Sequence, residues 1–263
     1  SLKKILFITT SRADYSQSKY LIRNLKKKKP KSFYLLVSGT HLSKSHGYTI
    51  KEIIDDNIIP DYKIDILKNK NLTTNNMEII AENTLKKFNN FFSNFQPNLV
   101  IVLGDRFEIF SAATAAMIAK IPIAHIHGGE SSEGAIDEAI RHSITKMSHL
   151  HFTSAVEYSN KVIQLGEQPS SVWNVGAVGL DNISKLPKVS KKLMNLDFLI
   201  IDCLRKNKHP SHFNYDDAID FVKFVKPKKA ILTNLHVDLD YYVLKKILPK
   251  NIIPAFDGLS FNF

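Results

Sequence analysis

Short apolar runs alternate with segments of helical periodicity through the first two thirds of the chain. Residues 4–9, 33–38 and 99–103 are apolar at nearly every position, which is typical of strands buried on both faces of a parallel sheet. Between them, residues 15–28 and 77–94 repeat apolar positions at helical spacing. This alternation predicts an α/β fold with a doubly wound, parallel, Rossmann-like sheet.

The alternation continues to about residue 175 and then changes in character. Further helices are predicted over residues 106–119, 136–147, 155–165 and 215–224, and further strands over residues 121–126, 150–153, 172–175, 196–201 and 230–233. Residues 185–195 are polar and rich in lysine. We therefore expect an N-terminal domain over residues 1–186, a linker over residues 187–195 and a small α/β C-terminal segment over residues 196–263.

Composition narrows the class of protein without identifying it. With 263 residues, of which 44% are hydrophobic, the chain can bury a sizeable core. The apolar run at its start is too short for a signal sequence or a membrane span. A single cysteine, Cys203, excludes an internal disulfide and favours a reducing, cytoplasmic location.

The net charge of +11 does not by itself indicate a polyanionic partner. The lysines of residues 26–29 fall at a predicted helix end, where cations favour the helix dipole. Aromatic and basic residues do not alternate as they do in single-stranded nucleic-acid platforms. We therefore expect neither a nucleic-acid nor a membrane partner, and a local basic patch would serve a small anionic substrate.

Four segments rich in polar residues or glycine follow the ends of predicted strands. They are residues 10–14, 38–42, 104–106 and 125–130. In doubly wound sheets, ligands bind beyond the carboxyl ends of the strands. We therefore expect these four segments to converge on one crevice.

Residues 125–142 concentrate acids, bases and glycine. Gly128 and Gly129 let the backbone turn sharply and approach a ligand closely. The ionisable side chains singled out in this stretch are His125, His127, Glu130, Asp137, Glu138, Arg141 and His142. A partly dry crevice would push the pKa values of such groups apart, as acid and base roles require. Arg12, Arg106 and Arg141 could complement phosphates through bidentate contacts.

Structural interpretations of several of these residues stay open at this point. Asp137 and Glu138 fall in the first turn of a predicted helix, where acids favour the dipole. Arg141 and His142 could be ordinary helix residues, with Arg141 in an ion pair one turn after Asp137. Asp105 could cap the helix that follows it.

Six segments, in their order along the chain, resemble a known family. They are residues 10–15 (TSRADY), 38–42 (SGTHL), 104–106 (GDR), 125–130 (HIHGGE), 136–142 (IDEAIRH) and 175–181 (VGAVGLD). Together they resemble the hydrolysing UDP-N-acetylglucosamine 2-epimerases of sialic-acid-type sugar synthesis, over residues 1 to about 186. The resemblance implies the N-terminal half of a two-domain GT-B fold, a UDP-sugar substrate, and no metal or nicotinamide cofactor.

The resemblance also implies a reaction and a set of residues. A base removes the proton at C2 of the sugar, UDP leaves by anti-elimination to a glycal, and water adds to give N-acetylmannosamine. By motif match, catalytic roles fall to Asp105, Glu130 and Asp137. His127 is included because many relatives have a glutamate at its position. Substrate-binding roles fall to Arg12, Asp14, Arg106, Gly128, Gly129, Glu138, Arg141 and His142.

The resemblance stops near residue 186. The family's second domain, which holds most of the UDP contacts and a further catalytic histidine, is expected to follow Asp181. Residues 196–263 instead resemble the C-terminal end of metallo-β-lactamase-fold hydrolases, in residues 197–204, 209–212, 231–241 and 255–258. That second resemblance implies a metal-binding role for His236.

Metal catalysis is nevertheless not expected. The chain lacks the His-x-His-x-Asp-His segment of a binuclear hydrolase, and His127 and Glu130 with His125 match no common zinc spacing. The apolar faces of the C-terminal segment need cover from the first domain or from an oligomer, so a homo-oligomer is expected. Alternative interpretations are a metal-dependent hydrolase and a truncated or chimeric, non-catalytic nucleotide-sugar-binding domain.

Overall fold

The computed structural model describes residues 3–67, 77–131, 136–180, 193–208 and 212–260. The chain divides into two compact units, Ser1–Ile183 and Ser184–Phe263. The predicted linker over residues 187–195 and the end of the last family segment, Asp181, lie largely outside the described residues. No helix among the described residues is long and apolar enough to cross a membrane.

The first unit alternates strands and helices. Its strands are β1 (Ile5–Thr9), β2 (Phe33–Ser38), β3 (Tyr62–Ile64), β4 (Leu99–Leu103), β5 (Ile123–Ile126), β6 (Leu150–Thr153) and β7 (Val172–Asn174). Its helices are α1 (Arg12–Lys28), α2 (Ile50–Asp55), α3 (Met77–Asn94), α4 (Phe107–Ile118), α5 (Asp137–Met147) and α6 (Val156–Gln164). Short 3-10 turns cover Gly39–Leu42, Lys44–His46 and Pro169–Ser171.

The seven strands form one parallel sheet in the order β3-β2-β1-β4-β5-β6-β7. The chain winds outward from β1 on one side and from β4 on the other, which confirms the predicted doubly wound, Rossmann-like sheet. The order reverses between β1 and β4. The segments that follow these two strands, residues 10–14 and 104–106, therefore lie at the switch point where such sheets bind ligands.

Apolar side chains cover both faces of this sheet. In β1, Leu6 and Ile8 belong to the core cluster beneath α3, α4 and α5, whereas Phe7 belongs to the cluster on the face of α1 and α2. All three are at most 1% exposed. Burial on both faces explains why the strand sequences are continuously apolar rather than alternating.

The second unit is a smaller α/β layer. It contains β8 (Phe198–Asp202), α7 (Tyr215–Val225), β9 (Lys229–Thr233), α8 (Tyr241–Ile247) and β10 (Ile252–Pro254). The strands are parallel, in the order β10-β9-β8. Leu199 and Leu232 pack with Val222 of α7 and Leu244 of α8 in one core cluster. The unit's own helices thus cover one face of its sheet, while Ile200 in β8 is 57% exposed.

Candidate active site

The segment after β1 is organised around a buried carboxylate. Ser11 caps α1, and Asp14 accepts hydrogen bonds from the Thr9 hydroxyl (2.6 Å) and the Thr10 and Ser11 amides (2.9 and 3.1 Å). Burial raises the pKa of Asp14, but the neighbouring His41 imidazole and the hydrogen bonds from Thr9 and Thr10 outweigh it and hold the pKa below its usual range. The buried Asp14 side chain therefore fixes the conformation of the loop after β1. A direct contact of this side chain with the substrate stays a prediction.

Two arginines beside the switch point form ion pairs that differ in their exposure to solvent. The Arg12 side chain is 72% exposed, and its Nε lies 3.1 Å from Glu52 Oε1. Arg106 Nη2 lies 2.7 Å from Oε1 of Glu108, whose side chain is 2% exposed. Burial lowers the pKa of Arg106, but the hydrogen bond and charge of Glu108 raise it overall. Arg106 is thus held by a buried partner, whereas Arg12 lies in solvent.

Arg141 of α5 joins the ends of β4 and β5. Its side chain is 8% exposed. Nη1 donates to the His127 carbonyl oxygen (2.9 Å) and to Glu130 Oε2 (3.3 Å), and Nη2 donates to Asp105 Oδ2. Arg141 is therefore a buried bridge between two loops.

Asp105 holds its proton more tightly than an exposed aspartate. Burial raises the pKa of Asp105, Arg141 opposes this, and the nearby carboxylates of Asp137 and Glu130 raise it further. The N-cap of α4 is Arg106, so Asp105 does not occupy the cap position that was one of its alternatives. A carboxyl group with a raised pKa next to a fixed cation is suited to exchange a proton.

His127 lies in the site with its ring nitrogens committed to protein groups. It is 7% exposed and adopts a left-handed backbone conformation, with φ at 65°. Nε2 accepts a hydrogen bond from the Val178 amide (3.3 Å), so the proton of the neutral ring is on Nδ1, which lies 3.4 Å from Glu130 Oε1. Burial and the charge of Arg141 lower the pKa of His127 although Glu130 opposes them. The ring is therefore neutral near pH 7.

Glu130 is held on both carboxylate oxygens. Oε1 accepts from the Ser154 hydroxyl (2.6 Å), and Oε2 accepts from Arg141. Its side chain is 18% exposed. Ser154 follows β6 and was missed by the sequence analysis, although its place after a strand end is the same signal that located the other segments.

The two glycines of the loop after β5 allow close packing against helices. Gly129 has φ at 82°, and an added Cβ would lie 2.4 Å from the Tyr158 carbonyl oxygen of α6. At Gly128 it would lie 3.0 Å from Thr145 Oγ1 of α5. These approaches fix the path of the loop, and contact of either glycine with a ligand stays a prediction.

The remaining residues predicted for the site lie at the start of α5. Asp137 is exposed in the first turn, and its charge acts on Asp105. Glu138 lies 3.4 Å from His142 and 3.6 Å from Lys161, atom to atom between the charged groups. Glu138 and His142 thus form a pair one helical turn apart.

Polar groups also gather at the carboxyl edge of the second unit. Asp202 accepts from His212 (3.1 Å) and Asn234 (2.8 Å), and His236 Nδ1 lies 2.9 Å from Asp238. Over the described ranges, no group of three or more histidine, cysteine, aspartate or glutamate residues could hold a metal ion. The metal-binding role that the second resemblance implies for His236 is therefore not supported.

Sequence comparison is consistent with this geometry. The family described as UDP-N-acetylglucosamine 2-epimerase matches residues 23–209, well over half of the chain. The chain belongs to this family. The family of the first resemblance is thereby confirmed, and the match continues past residue 186, where the sequence was expected to leave the family.

Two curated relatives give the family match more detail. Polysialic acid biosynthesis protein P7 of Escherichia coli is 44% identical over 199 residues, which are 75% of this chain and 50% of the relative. The GDP/UDP-N,N'-diacetylbacillosamine 2-epimerase (hydrolyzing) of Campylobacter jejuni is 35% identical over 205 residues, 73% of this chain and 50% of the relative. The chain thus spans about half the length of the curated epimerase-family relatives it matches.

Solved structures match nearly the whole chain. The UDP-GlcNAc 2-epimerase of Neisseria meningitidis bound to UDP-GlcNAc has a TM-score of 0.65 at 18% identity, with 98% of this chain and 73% of that chain covered. The enzyme of Methanocaldococcus jannaschii in complex with UDP-GlcNAc and UDP has a TM-score of 0.61 at 17% identity, with 96% and 73% covered. At these identities the likeness concerns the fold alone, and it supports the Rossmann-like, GT-B-related architecture.

The metallo-β-lactamase resemblance of residues 196–263 is not supported by these comparisons. The matched epimerase structures cover almost all of this chain, so their match includes most of the second unit. That unit is a parallel α/β layer with its own core, and its own helices cover one face of its sheet.

Proposed function

We propose that this chain acts as a hydrolysing UDP-sugar 2-epimerase that converts a UDP-N-acetylhexosamine and water into the free 2-epimeric sugar and UDP. The observation that carries the proposal is the contact of Asp105 and Glu130 with one buried guanidinium, that of Arg141. Family membership supports the reaction class. The residue roles below are inferred from the contacts of each side chain.

The proposed reaction balances in two steps. First, a carboxylate takes the proton from C2, the C–H electrons form a C1=C2 double bond, and the bond from C1 to the UDP oxygen breaks on the opposite face. Second, water adds its hydroxyl to C1, and a proton is delivered to C2 on the face opposite to the one from which the first proton was removed. The sum is UDP-N-acetylglucosamine plus water giving N-acetylmannosamine plus UDP.

Asp105 is our candidate for the group that exchanges the C2 proton. Its raised pKa strengthens it as a base, because a base is most effective when its pKa lies closer to the working pH. Arg141 keeps the carboxylate in one orientation and compensates its charge after the proton has left. Asp137 adds negative charge next to Asp105 and is proposed as the second acid–base group.

Glu130, rather than His127, is proposed as the further catalytic group of the loop. The lone pair of His127 Nε2 is engaged by the Val178 amide, so this nitrogen is not available to take a proton from a substrate. Glu130 is oriented by Ser154 and Arg141, and a carboxylate can both accept and return a proton. His127 then orders the loop around Glu130.

Arg12 is proposed as the contact to the diphosphate. Exposed ion pairs contribute little free energy, so Arg12 can exchange Glu52 for a phosphate at low cost. It also begins α1, whose N-terminal amides attract anions. Arg106 is held by the buried Glu108 and is proposed to fix the loop that carries Asp105.

The proposed substrate class follows the names of the relatives. The Escherichia coli relative is named for polysialic acid biosynthesis, and the Campylobacter jejuni relative for hydrolysis of nucleotide-linked diacetylbacillosamine. We therefore propose UDP-N-acetylglucosamine or a diacetamido-trideoxy variant as substrate, in sialic-acid-type sugar synthesis.

The test is proton NMR of the purified chain with either UDP-sugar in deuterated water. We expect release of UDP and deuterium at C2 of the product, because the proton that returns to C2 comes from solvent. UDP-sugar binding without turnover would replace the proposal by a nucleotide-sugar-binding role.

Variants of the proposed base make the test specific. Asp105→Asn and Asp137→Asn are expected to lower turnover by about 100-fold or more while the fold is kept, since an amide cannot exchange the proton. Asp55→Asn, at the exposed C-terminal end of α2, serves as the control. Unchanged turnover in Asp105→Asn would remove this residue from the mechanism.

A further inference from the structure

His125 lies behind the candidate site and takes no part in the proposed chemistry. It belongs to β5 and is fully buried. Its Nε2 lies 2.8 Å from the Gly104 carbonyl oxygen, and its Nδ1 lies 3.1 Å from the Thr145 hydroxyl. The ring therefore connects the end of β4 to helix α5.

The partners of His125 fix its tautomer. A carbonyl oxygen only accepts, so Nε2 carries the proton and donates it to Gly104. Nδ1 then has the lone pair and accepts from the Thr145 hydroxyl. Burial lowers the pKa of His125 to about 3, with the Gly104 hydrogen bond opposing this, so the ring is neutral across the physiological range.

Gly104 determines how Asp105 enters the site. The Gly104 carbonyl and the Asp105 amide share one peptide plane, so a bond that orients this carbonyl also orients the backbone of Asp105. Gly104 has φ at 80°, and its own amide donates to the Ile126 carbonyl (3.0 Å). The glycine is thus held on both sides by β5.

The other partner of His125 is tied to the counter-charge of Asp105. Thr145 follows Arg141 by one helical turn, so the two side chains project from the same face of α5. One imidazole therefore holds the backbone before Asp105 and contacts the helix face that carries Arg141. Among the described residues, no other side chain forms a hydrogen bond to Gly104.

We infer that His125 is a positioning residue, which sets the Asp105 carboxylate against Arg141 by holding the Gly104 carbonyl. The expected effect on turnover rests on the proposed function. The expected effects on the orientation and titration of Asp105 rest on the geometry alone. These two consequences are measured separately.

The chain offers a matched control in His151. It lies on β6 in direct register with His125 and is likewise fully buried. Its Nε2 lies 3.1 Å from Glu167, which is not part of the site. Replacing His151 therefore reports the general effect of removing a buried imidazole from this sheet.

Two replacements of His125 separate positioning from packing. The terminal amide of glutamine reaches the place of Nε2 and can donate to the Gly104 carbonyl, whereas that of asparagine ends near the place of Nδ1 and cannot. We expect His125→Asn to lower kcat about 30-fold with little change in KM, and His125→Gln to recover most of the loss, since a misplaced group costs up to about 100-fold. His151→Asn is expected to keep kcat within about twofold.

The second readout needs no turnover. Carbon-13 NMR of aspartate carboxyls, assigned with Asp105→Asn, gives the titration of Asp105 in each variant. We expect its midpoint and the Gly104–Asp105 amide shifts to change in His125→Asn and to return toward wild type in His125→Gln. Thr145→Val provides a variant that keeps His125 and its bond to the Gly104 carbonyl, and in it the nitrogen-15 shifts should still show the Nε2–H tautomer.

The outcomes distinguish the two proposals. If the wild-type chain has no turnover, the proposed function fails, and the carboxyl titrations alone decide the role of His125. Equal effects of asparagine and glutamine, or an Asp105 titration unchanged in His125→Asn, would overturn the positioning role. If His125→Asn does not fold, His125→Gln and Thr145→Val decide: both keep a donor to the Gly104 carbonyl, so the Asp105 titration should stay close to that of the wild type in each, and a clear change in both would overturn the positioning role.

Discussion

The guanidinium of Arg141 pairs with the carboxylate of Asp105, although the two residues lie on different elements, α5 and the loop after β4. Both side chains are mostly buried, at 8% and 22% exposed. The same guanidinium contacts Glu130 at 3.3 Å. One cation thus compensates two carboxylates and holds them close together.

Removing this cation should destabilise the first unit. Arg141→Met keeps much of the side-chain volume but leaves Asp105 and Glu130 without their shared partner, and loss of a buried counter-charge costs about 3 kcal/mol in the free energy of unfolding. The measurement is urea unfolding followed by the fluorescence of Trp173, the single tryptophan, which lies in the first unit. The double variant Arg141→Met/Asp105→Asn should recover part of the loss. A single variant as stable as wild type would mean that water compensates the carboxylates.

The conformation of the glycine loop gives a second prediction. Gly129 and Gly176 have nearly the same φ, 82° and 79°, but an added Cβ meets the Tyr158 carbonyl at 2.4 Å in the first and nothing within 4 Å in the second. Gly176→Ala should cost about 1–2 kcal/mol of unfolding free energy, from the left-handed conformation alone. Gly129→Ala should cost more than about 3 kcal/mol, because the loop or α6 must move. Equal losses in the same fluorescence assay would show that the loop yields without strain.

Much of the first unit could be predicted because its signals are local. The bounds of β2, α3, β4 and β6 are those predicted, since continuous apolar runs and long helical periodicity depend on burial of the segment itself. Helix α1 begins at Arg12 rather than at residue 15, because Ser11 and Asp14 form a capping box. The spacing of Ser11 and Asp14 is itself a sequence signal for this helix start.

The elements that were missed are short or lie at an edge. Strand β3 has three residues, lies at the edge of the described sheet beside β2 and is at best half-buried, so it has no apolar run to detect. Helix α2 and, in the second unit, α8 and β10 are also too short for periodicity to mark them. Their positions follow from tertiary packing.

Strand-end position identified the segments of the site but not their contacts. Asp105, Glu130 and Arg141 come together as the parallel sheet requires, yet the sequence suggested a local partner for Arg141. Two of its partners, the carboxylates of Asp105 and Glu130, lie 36 and 11 residues away. Which side chains meet across a crevice depends on the packing of α5 on the sheet, and no sequence spacing encodes it.

The buried histidine of β5 gives the stability a defined pH dependence. The pKa of His125 is about 3 in the folded chain, lowered by burial, and about 6.5 in the unfolded chain. Below pH 6.5 the unfolded state therefore binds one proton more at this site than the folded state. The free energy of unfolding consequently decreases as the pH falls from 6.5 toward 3. The expected slope is about 1.4 kcal/mol per pH unit.

His125→Gln isolates this contribution. Trp173 fluorescence in urea at pH 8.0, 7.5, 6.0 and 5.0 should show that the stability difference between wild type and variant is the same at the two higher pH values and shrinks below pH 6.5 by about 1.4 kcal/mol per unit. His151→Asn, compared in parallel, reports a second buried imidazole whose pKa is also lowered by burial. A difference that does not depend on pH would mean that His125 takes up its proton at the same pH in the folded and the unfolded chain.

The choice between His127 and Glu130 can be decided by one pair of amide substitutions. In His127→Gln, the side-chain carbonyl can still accept from the Val178 amide, so the loop should hold and turnover should fall by less than about 10-fold. In Glu130→Gln, the contact with Ser154 survives but the group can no longer exchange a proton, so turnover should fall by about 100-fold or more. UDP release and deuterium incorporation at C2 are measured together, with UDP-sugar binding by calorimetry as the control for site integrity. The reverse order of the two losses would assign the catalytic role to His127, and it would require the Val178 contact to open when the substrate binds.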